Sequence, residues 1–404
     1  MPVQSPGEQH MAILLSDAGL HRHLLPLTHT RPVGALRAGI FTFAEAWQRL
    51  TGLPVGFHTE SYLQEKFPAV VADRVLEVHG GLLPCPALAG AVLDLEPGQA
   101  LVKDGRPLAF CLEGGARAEG LHWARTPAYL DPIIYTSDVH LMERPWHLFQ
   151  HCGAAIANDF AMLTEGRRSG PLSALNTVIG DAAKVFLEPG AKVEASILNT
   201  TNGPIWIGRD AEVMEGCMIR GPFALGDHSQ LKMGAKIYGA SSFGPECRVG
   251  GEVNNSVILG YSNKGHDGFL GNSVLGEWCN LGADTNTSNL KNTYGEVKAW
   301  SYATEAFAPT GQHFLGLVMG DHAKSGINTM FNTGTVAGVC ANVFGSGFPD
   351  KHIPAFSWGG GATYALDKAL DTCRVVMQRR SVPLDAADRK ILAEVFRLTE
   401  SYRT

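Results

Sequence analysis

Between residues 260 and 292 the chain sets one histidine, His266, among glycines, with Lys264 and Asp267 beside it and Asn280, Asn286 and Asn289 downstream. An imidazole near its ordinary pKa takes a proton from an attacking amine, the step that acyl transfer to nitrogen requires. Asparagine side chains can orient a sugar, and a backbone N–H at a turn can hold the oxyanion that develops on the acyl carbonyl. A histidine in a glycine-rich segment is as readily a solvated turn residue. On the residues alone, both readings stand.

The elements around this segment have an unusual period. Apolar residues fall at Ile207, Val213, Ile219, Leu225, Leu231, Ile237, Phe243 and Val249, each six after the last, and Gly208, Gly226 and Gly244 recur every eighteen. Ile179, Val185, Ala191 and Ile197 take the same step earlier; Leu275, Leu281, Met319, polar Ser325, Phe331, Ala337 and Val343 resume it later. A six-residue step is neither helical nor a plain strand alternation. It is the period of a solenoid with three short flat faces, each sixth side chain pointing inward onto its copy eighteen residues on. The expectation is a left-handed parallel β-helix over residues 177–345. Its period fails from Val249 to Leu270 and again from about Leu290 to Leu317, so loops are expected there, and loops on a rigid scaffold carry function.

The remaining chain has a different texture. Over residues 10–140 short apolar runs (Ala12–Leu15, Ala69–Val71, Ala91–Leu93, Leu108–Leu112) alternate with helical patterns such as Phe41–Leu50, which suggests an α/β domain. We place that domain at 1–144, a linker helix at 145–165 after Pro145, and two C-terminal helices in 361–404 that cap the coil or pack on a neighbour. With 45% apolar and 18% charged residues the 404-residue chain reads as globular and soluble, and a net charge of −6 disfavours a nucleic-acid partner. Eight scattered cysteines without a C-x-x-C pair give neither a disulfide framework nor a zinc knuckle, so buried, reduced thiols are expected. No basic segment precedes a long apolar run, so a cytoplasmic chain without a membrane partner is expected.

The segment His266-Asp-Gly-Phe269-Leu-Gly-Asn272, then Cys279-Asn280-Leu-Gly-Ala283-Asp-Thr285, then Asn289-Leu-Lys291-Asn292 resembles the acetyltransferase half of the bifunctional glucosamine-1-phosphate acetyltransferase/UDP-N-acetylglucosamine pyrophosphorylase family. That family carries His-x-x-Tyr-Leu-Gly-Asp, Val-Asn-Ile-Gly-Ala-Gly-Thr and Asn-Tyr-Asp-Gly, and the spacing matches without a gap from His266 to Asn289. The resemblance implies a homotrimer using acetyl-CoA. It makes His266 the general base, has Asn280 help bind the sugar, sets the Ala283 backbone by the acetyl group and gives Asn289 the amine to orient. The family's sugar-binding tyrosine is Phe269 here, and its phosphate-binding lysine falls on Asn254, leaving Arg248, Lys264 or Lys291 to supply that charge.

The opening stretch, from Ile13 through Gly19, Arg22, Pro26-Leu-Thr28 and Arg31-Pro32-Val33, is similar to the start of a sugar nucleotidyltransferase. There a glycine-rich loop lets backbone N–H groups approach a triphosphate. Here only Gly19 remains of its three glycines and Val33 replaces its lysine, while Arg22, Arg31 and Arg37 offer positive charge, with Asp17 or Asp104 as ligands for Mg²⁺. As a whole the chain looks like a shortened bacterial variant of the bifunctional family. The leading expectation is an acetyl-CoA-dependent N-acetyltransferase acting on an amino-sugar 1-phosphate in nucleotide-sugar synthesis. The alternatives are a sugar-1-phosphate nucleotidyltransferase using a nucleoside triphosphate (forming a UDP- or dTDP-sugar) and a non-catalytic, ligand-sensing assembly protein.

Overall fold

The computed structural model describes residues 10–113 and 123–403, which form two compact units. One holds the chain up to His21, Arg31–Leu36 and Phe41–Glu143; the other holds Arg22–Thr30, Arg37–Ile40 and everything from Arg144.

The first unit is a six-stranded sheet in the order β2-β1-β3-β5-β4-β6, comprising β1 (Met11–Ser16), β2 (Val55–His58), β3 (Arg74–His79), β4 (Gln99–Lys103), β5 (Arg106–Glu113) and β6 (Asp131–Ile134). Strands β2, β1 and β3 run parallel, while β5 is antiparallel to both of its neighbours. Helices α1 (Phe43–Thr51) and α2 (Pro86–Leu93) complete the core with Ile13, Leu15, Trp47, Leu76 and Val78, all fully buried. Thr42 starts α1 with a capping box: its hydroxyl accepts the Glu45 N–H while the Glu45 carboxylate accepts the Thr42 N–H. Among the apolar runs, Ala12–Leu15 and Leu108–Leu112 lie in strands, Ala91–Leu93 ends α2, and Ala69–Val71 belongs to neither, with Val71 exposed.

The second unit is a parallel β-helix. Its three sheets hold six strands (Thr177–Ile179 to Phe269–Gly271, face one), nine strands (Val185–Leu187 to His352–Ile353, face two) and ten strands (Lys192–Val193 to Ala362–Thr363, face three). All pairings along them are parallel except the last on face three. The eight residues of the Ile207–Val249 series are each 0–1% exposed and lie in one continuous core. The eighteen-residue glycines have a steric cause: a Cβ on Gly226 would sit 2.4 Å from the Gly244 carbonyl carbon, and one on Gly244 only 1.9 Å from the Leu259 carbonyl oxygen.

Two expectations about the repeat are corrected. Before residue 205 its phase holds only in part: Val185 is inside and Ala191 packs against the core, but Ile179 and Ile197 point outward, 46% and 40% exposed, while Leu187, Val193 and Leu198 are inside. From Val249 to Leu270 the coil does not break. Strands Glu252–Asn254, Val257–Gly260 and Asn263–Lys264 keep the ladder, with Val253 and Ile258 inside. Between Val249 and Ile258 the inward residues are only four and five apart, so the six-residue step is lost there while the hydrogen-bonded stacking survives, and Ile258, Lys264 and Leu270 keep the step again. The one long excursion is 288–316, which holds an antiparallel hairpin of Lys298–Ser301 and Ala306–Pro309.

Four α-helices are found among the described residues of this unit. The helix expected at 145–165 is two, α3 (His147–Gln150) and α4 (Cys152–Thr164), separated at His151. Helices α5 (Leu366–Gln378) and α6 (Ala386–Leu398) follow the last coils. Among the described residues no helix is long and apolar enough to cross a membrane.

Candidate functional site

His266 is exposed on the corner that joins Asn263–Lys264 on face three to Phe269–Gly271 on face one. The backbone of this corner is held from both neighbouring coils. Lys264 points into the coil, 2% exposed, and its ammonium donates to the carbonyls of Gly250 (2.9 Å) and His266 (2.8 Å). Burial lowers the pKa of that amine to about 8. On the other side the Asp284 N–H donates to the Asp267 carbonyl at 3.1 Å. Gly268, at φ +115°, passes so close that a Cβ there would lie 2.3 Å from the Thr285 oxygen. The imidazole therefore projects from a fixed frame.

One coil further on, Ala283 occupies the same corner; its carbonyl accepts the Asn328 N–H at 2.8 Å, and its own N–H has no acceptor among the described residues. On face one, the Phe269 ring and the Asn289 amide meet over Gly271, where a methyl group would lie 2.5 Å from Phe269 Cζ and 2.7 Å from Asn289 Nδ2. Asn289 Nδ2 also donates to Asn272 Oδ1 at 2.8 Å, and the Phe269 N–H donates to Asn286 Oδ1 at 2.8 Å. Asn280 is on face three, where Asn263 Nδ2 reaches its Oδ1 at 3.5 Å and Arg380 Nη2 donates to Asn263 Oδ1 at 3.3 Å. His266 and Ala283 thus share a corner and Phe269 and Asn289 share a face, whereas Asn280 lies on another.

The residues expected to replace the phosphate-binding lysine all have hydrogen-bond partners within their own unit. Lys264 is consumed by the two carbonyls inside the coil. Arg248 donates to the carbonyls of His228 (2.9 Å) and Cys247 (3.1 Å) and pairs with Glu246, while Lys291 Nζ donates to the Glu296 carbonyl. A cation that the reading of the sequence missed lies on the outward column of face one. Lys236, Glu252 and Phe269 are successive register partners there, and Lys236 is exposed. Tyr238, beside Lys236, donates its hydroxyl to Glu252, and that carboxylate pushes the tyrosine pKa up to about 12. The outward positions of the same repeat were the signal that could have found them. A cavity of about 420 Å³ beside the last coils, lined by Phe344, Phe348, His352 and two glycine loops, was also missed, and none of the expected residues lines it.

In the α/β unit the candidate place is the carboxyl end of the parallel strands, where the connections from β1 run first to one side and then to the other. Ligands of open α/β sheets bind at such a switch point. Here the Asp17 carboxylate, 7% exposed, accepts the Val33 N–H at 2.7 Å and the Thr59 hydroxyl, with His21 Nδ1 at 3.4 Å. Burial lowers His79, at the end of β3, to a pKa of about 4. Gly19 makes a turn at φ +80° and Arg31 is buried.

The other two arginines of the expected phosphate site belong to the second unit. Arg22 donates to the Tyr302 carbonyl (3.0 Å) and pairs with Glu305 (3.1 Å), and Arg37 donates to the Ile40 carbonyl. Both therefore already serve internal partners. Asp17 is likewise engaged and Asp104 sits exposed in the β4–β5 turn; among the described residues no cluster of three or more His, Cys, Asp or Glu is set to hold a metal.

Residues 12–168 match the family model described as sugar nucleotidyl transferase. The bifunctional protein GlmU of Methanocaldococcus jannaschii is 33% identical over 87 residues, 22% of this chain and 21% of that protein. The bifunctional sugar-1-phosphate nucleotidylyltransferase/acetyltransferase of Sulfurisphaera tokodaii is 30% identical over 166 residues, 40% of this chain and 39% of the relative. GlmU of Synechococcus elongatus is 23% identical over 246 residues, 56% and 50% of the two chains. The chain thus spans half or less of each of these relatives. Over the matched stretches the chain is similar to GlmU-like bifunctional proteins, and residues 12–168 resemble the sugar nucleotidyl transferase family.

Proposed function

We propose that the chain is an N-acetyltransferase that carries the acetyl group of acetyl-CoA to the amine of an amino-sugar 1-phosphate. The observation that carries this reading is the pairing of an exposed imidazole, His266, with the unpaired N–H of Ala283 on the same corner of the next coil. Acetyl-CoA, when bound, supplies the acyl thioester, and these two groups suit it: one removes a proton from the amine and the other faces the oxygen on which charge develops. His266 would then hold that proton for the leaving thiolate. Asn289, held by Asn272, orients the amine, and Phe269 packs against the sugar. Lys236 takes the place of the missing phosphate cation. In this reading the homotrimer supplies the rest of the pocket from a neighbouring subunit.

A second reading, sugar-1-phosphate nucleotidyl transfer with Mg²⁺ in the α/β unit, is favoured by the match of residues 12–168. The Asp17 carboxylate weighs against it, because it already accepts the Val33 N–H in the stretch where a triphosphate would need backbone donors. The deciding assay supplies the chain with a panel of amino-sugar 1-phosphates. Thiol release from acetyl-CoA is expected with at least one of them, lost in His266→Ala. Pyrophosphate release from a nucleoside triphosphate with no thiol release from any sugar would overturn the first reading.

A further inference from the structure

Seven of the eight cysteines are buried, and two of them face one another across the join between the β-helix and its C-terminal helix. Cys340 occupies a corner of the coil at φ +56°, and its N–H donates to the Asp321 carbonyl of the coil before. Cys373 lies midway along α5 on its buried side. Their sulfurs are 3.8 Å apart and both residues are 1% exposed. The hydrogen bond from the Cys340 thiol favours the Cys373 thiolate most, burial opposes it, and His322, one coil earlier at the same corner, and Lys324 on the adjoining strand add to the first effect, so the Cys373 pKa is lowered. Cys340 is shifted the other way, chiefly by its burial. One sulfur of the pair is therefore the stronger nucleophile and the other remains a thiol.

We propose that Cys340 and Cys373 form an oxidation site, converted by hydrogen peroxide into a disulfide that locks α5 to the coil. The Cys373 thiolate attacks one peroxide oxygen, the O–O bond breaks, and the hydroxide released takes up a proton to leave as water. The sulfenic acid formed on Cys373 is attacked by the Cys340 sulfur, which gives up its proton, and a second water departs. Two thiols thus supply the two electrons that reduce one peroxide. The sulfurs must close from 3.8 Å to about 2.05 Å, a movement within the reach of side-chain rotation and a small shift of α5. The lock bears on a second place, because Arg380, just beyond α5, donates to Asn263, whose amide reaches Asn280. Oxidation therefore fixes the helix over the face-three column that holds Asn280.

The test treats the full chain with hydrogen peroxide, alkylates the remaining thiols, and maps peptides under non-reducing conditions. The expected result is a dithiothreitol-sensitive peptide pair joining Cys340 to Cys373, with six of the eight cysteines still alkylated. A melting temperature higher by about 5 °C should accompany it, since the link closes a loop of some thirty residues. Cys373→Ser should abolish both changes. Alkylation of Cys340 and Cys373 at undiminished yield, while half-buried Cys85 is oxidised, would overturn the proposal, and the wild-type map alone gives that answer. The readout contains no acetyl transfer, so failure of the proposed activity leaves it unaffected.

Discussion

The coils from Ile205 to Val249 and the coils that follow share one ladder but differ in what they bury. In the first stretch the side chains at the six-residue positions are all apolar, although Ser229, Ser241 and Ser242 are buried beside them, and Phe223 packs edge-on against Phe243 at 5.3 Å. In the second, the register partner of Val249 is Lys264, and Thr285, Thr287 and Ser325 are also inside. Each of these polar groups is satisfied: Lys264 by two carbonyls, Thr285 by Ser325 at 2.9 Å, and Thr287 by the Phe269 carbonyl and the Gly271 N–H. A buried polar group costs stability unless it is hydrogen-bonded. The difference teaches that this part of the solenoid gives up some apolar burial to hold corners in place, and one of those corners presents His266.

Substitutions can separate the two stretches. His266→Ala should reduce acetyl transfer by about 10²–10⁴-fold, measured as thiol release, and leave the melting temperature unchanged. Equal loss of melting temperature would make the corner structural. Phe243→Ala in the apolar stretch should cost about 3–5 kcal/mol in denaturant unfolding, because the cavity it leaves is bounded by a rigid ladder.

Lys264 distinguishes the stretches by pH. Its folded pKa of about 8 lies below the ordinary lysine value, so between these two values the unfolded chain binds the extra proton. Its cost to stability is then largest below pH 8 and is relieved as pH rises towards 10.5, by about 3 kcal/mol at most. Wild type should gain that stability relative to Lys264→Met over this window, and parallel curves for the two would refute the buried charge. The smallest effect concerns Phe269→Tyr, which restores a hydroxyl on face one; a fall in KM of a few fold for the sugar phosphate is expected, and no change would remove Phe269 from the sugar contact.

Much of the scaffold was legible because its signal is local. Every sixth residue from Ile207 to Val249 is inside, since equal corners bring equal positions onto one face, and Thr42 with Glu45 announces α1. The phase error at Ile179 and Ile197, and the supposed break after Val249, have one cause. Corner length varies from coil to coil, while backbone hydrogen bonds between coils carry no side-chain code.

Of the candidate site, the sequence alone set the residue types and the order His266, Asn280, Ala283, Asn289. Only the tertiary structure decided which of them meet. It put Lys264 inside and Lys236 outside, engaged Asp17 with Val33, and brought Cys373 to Cys340. The physical reason is that a side chain's availability depends on the groups that already satisfy it. For Lys264 those are carbonyls on both sides of it in the chain, and for Cys340 the partner comes from a helix thirty-three residues away.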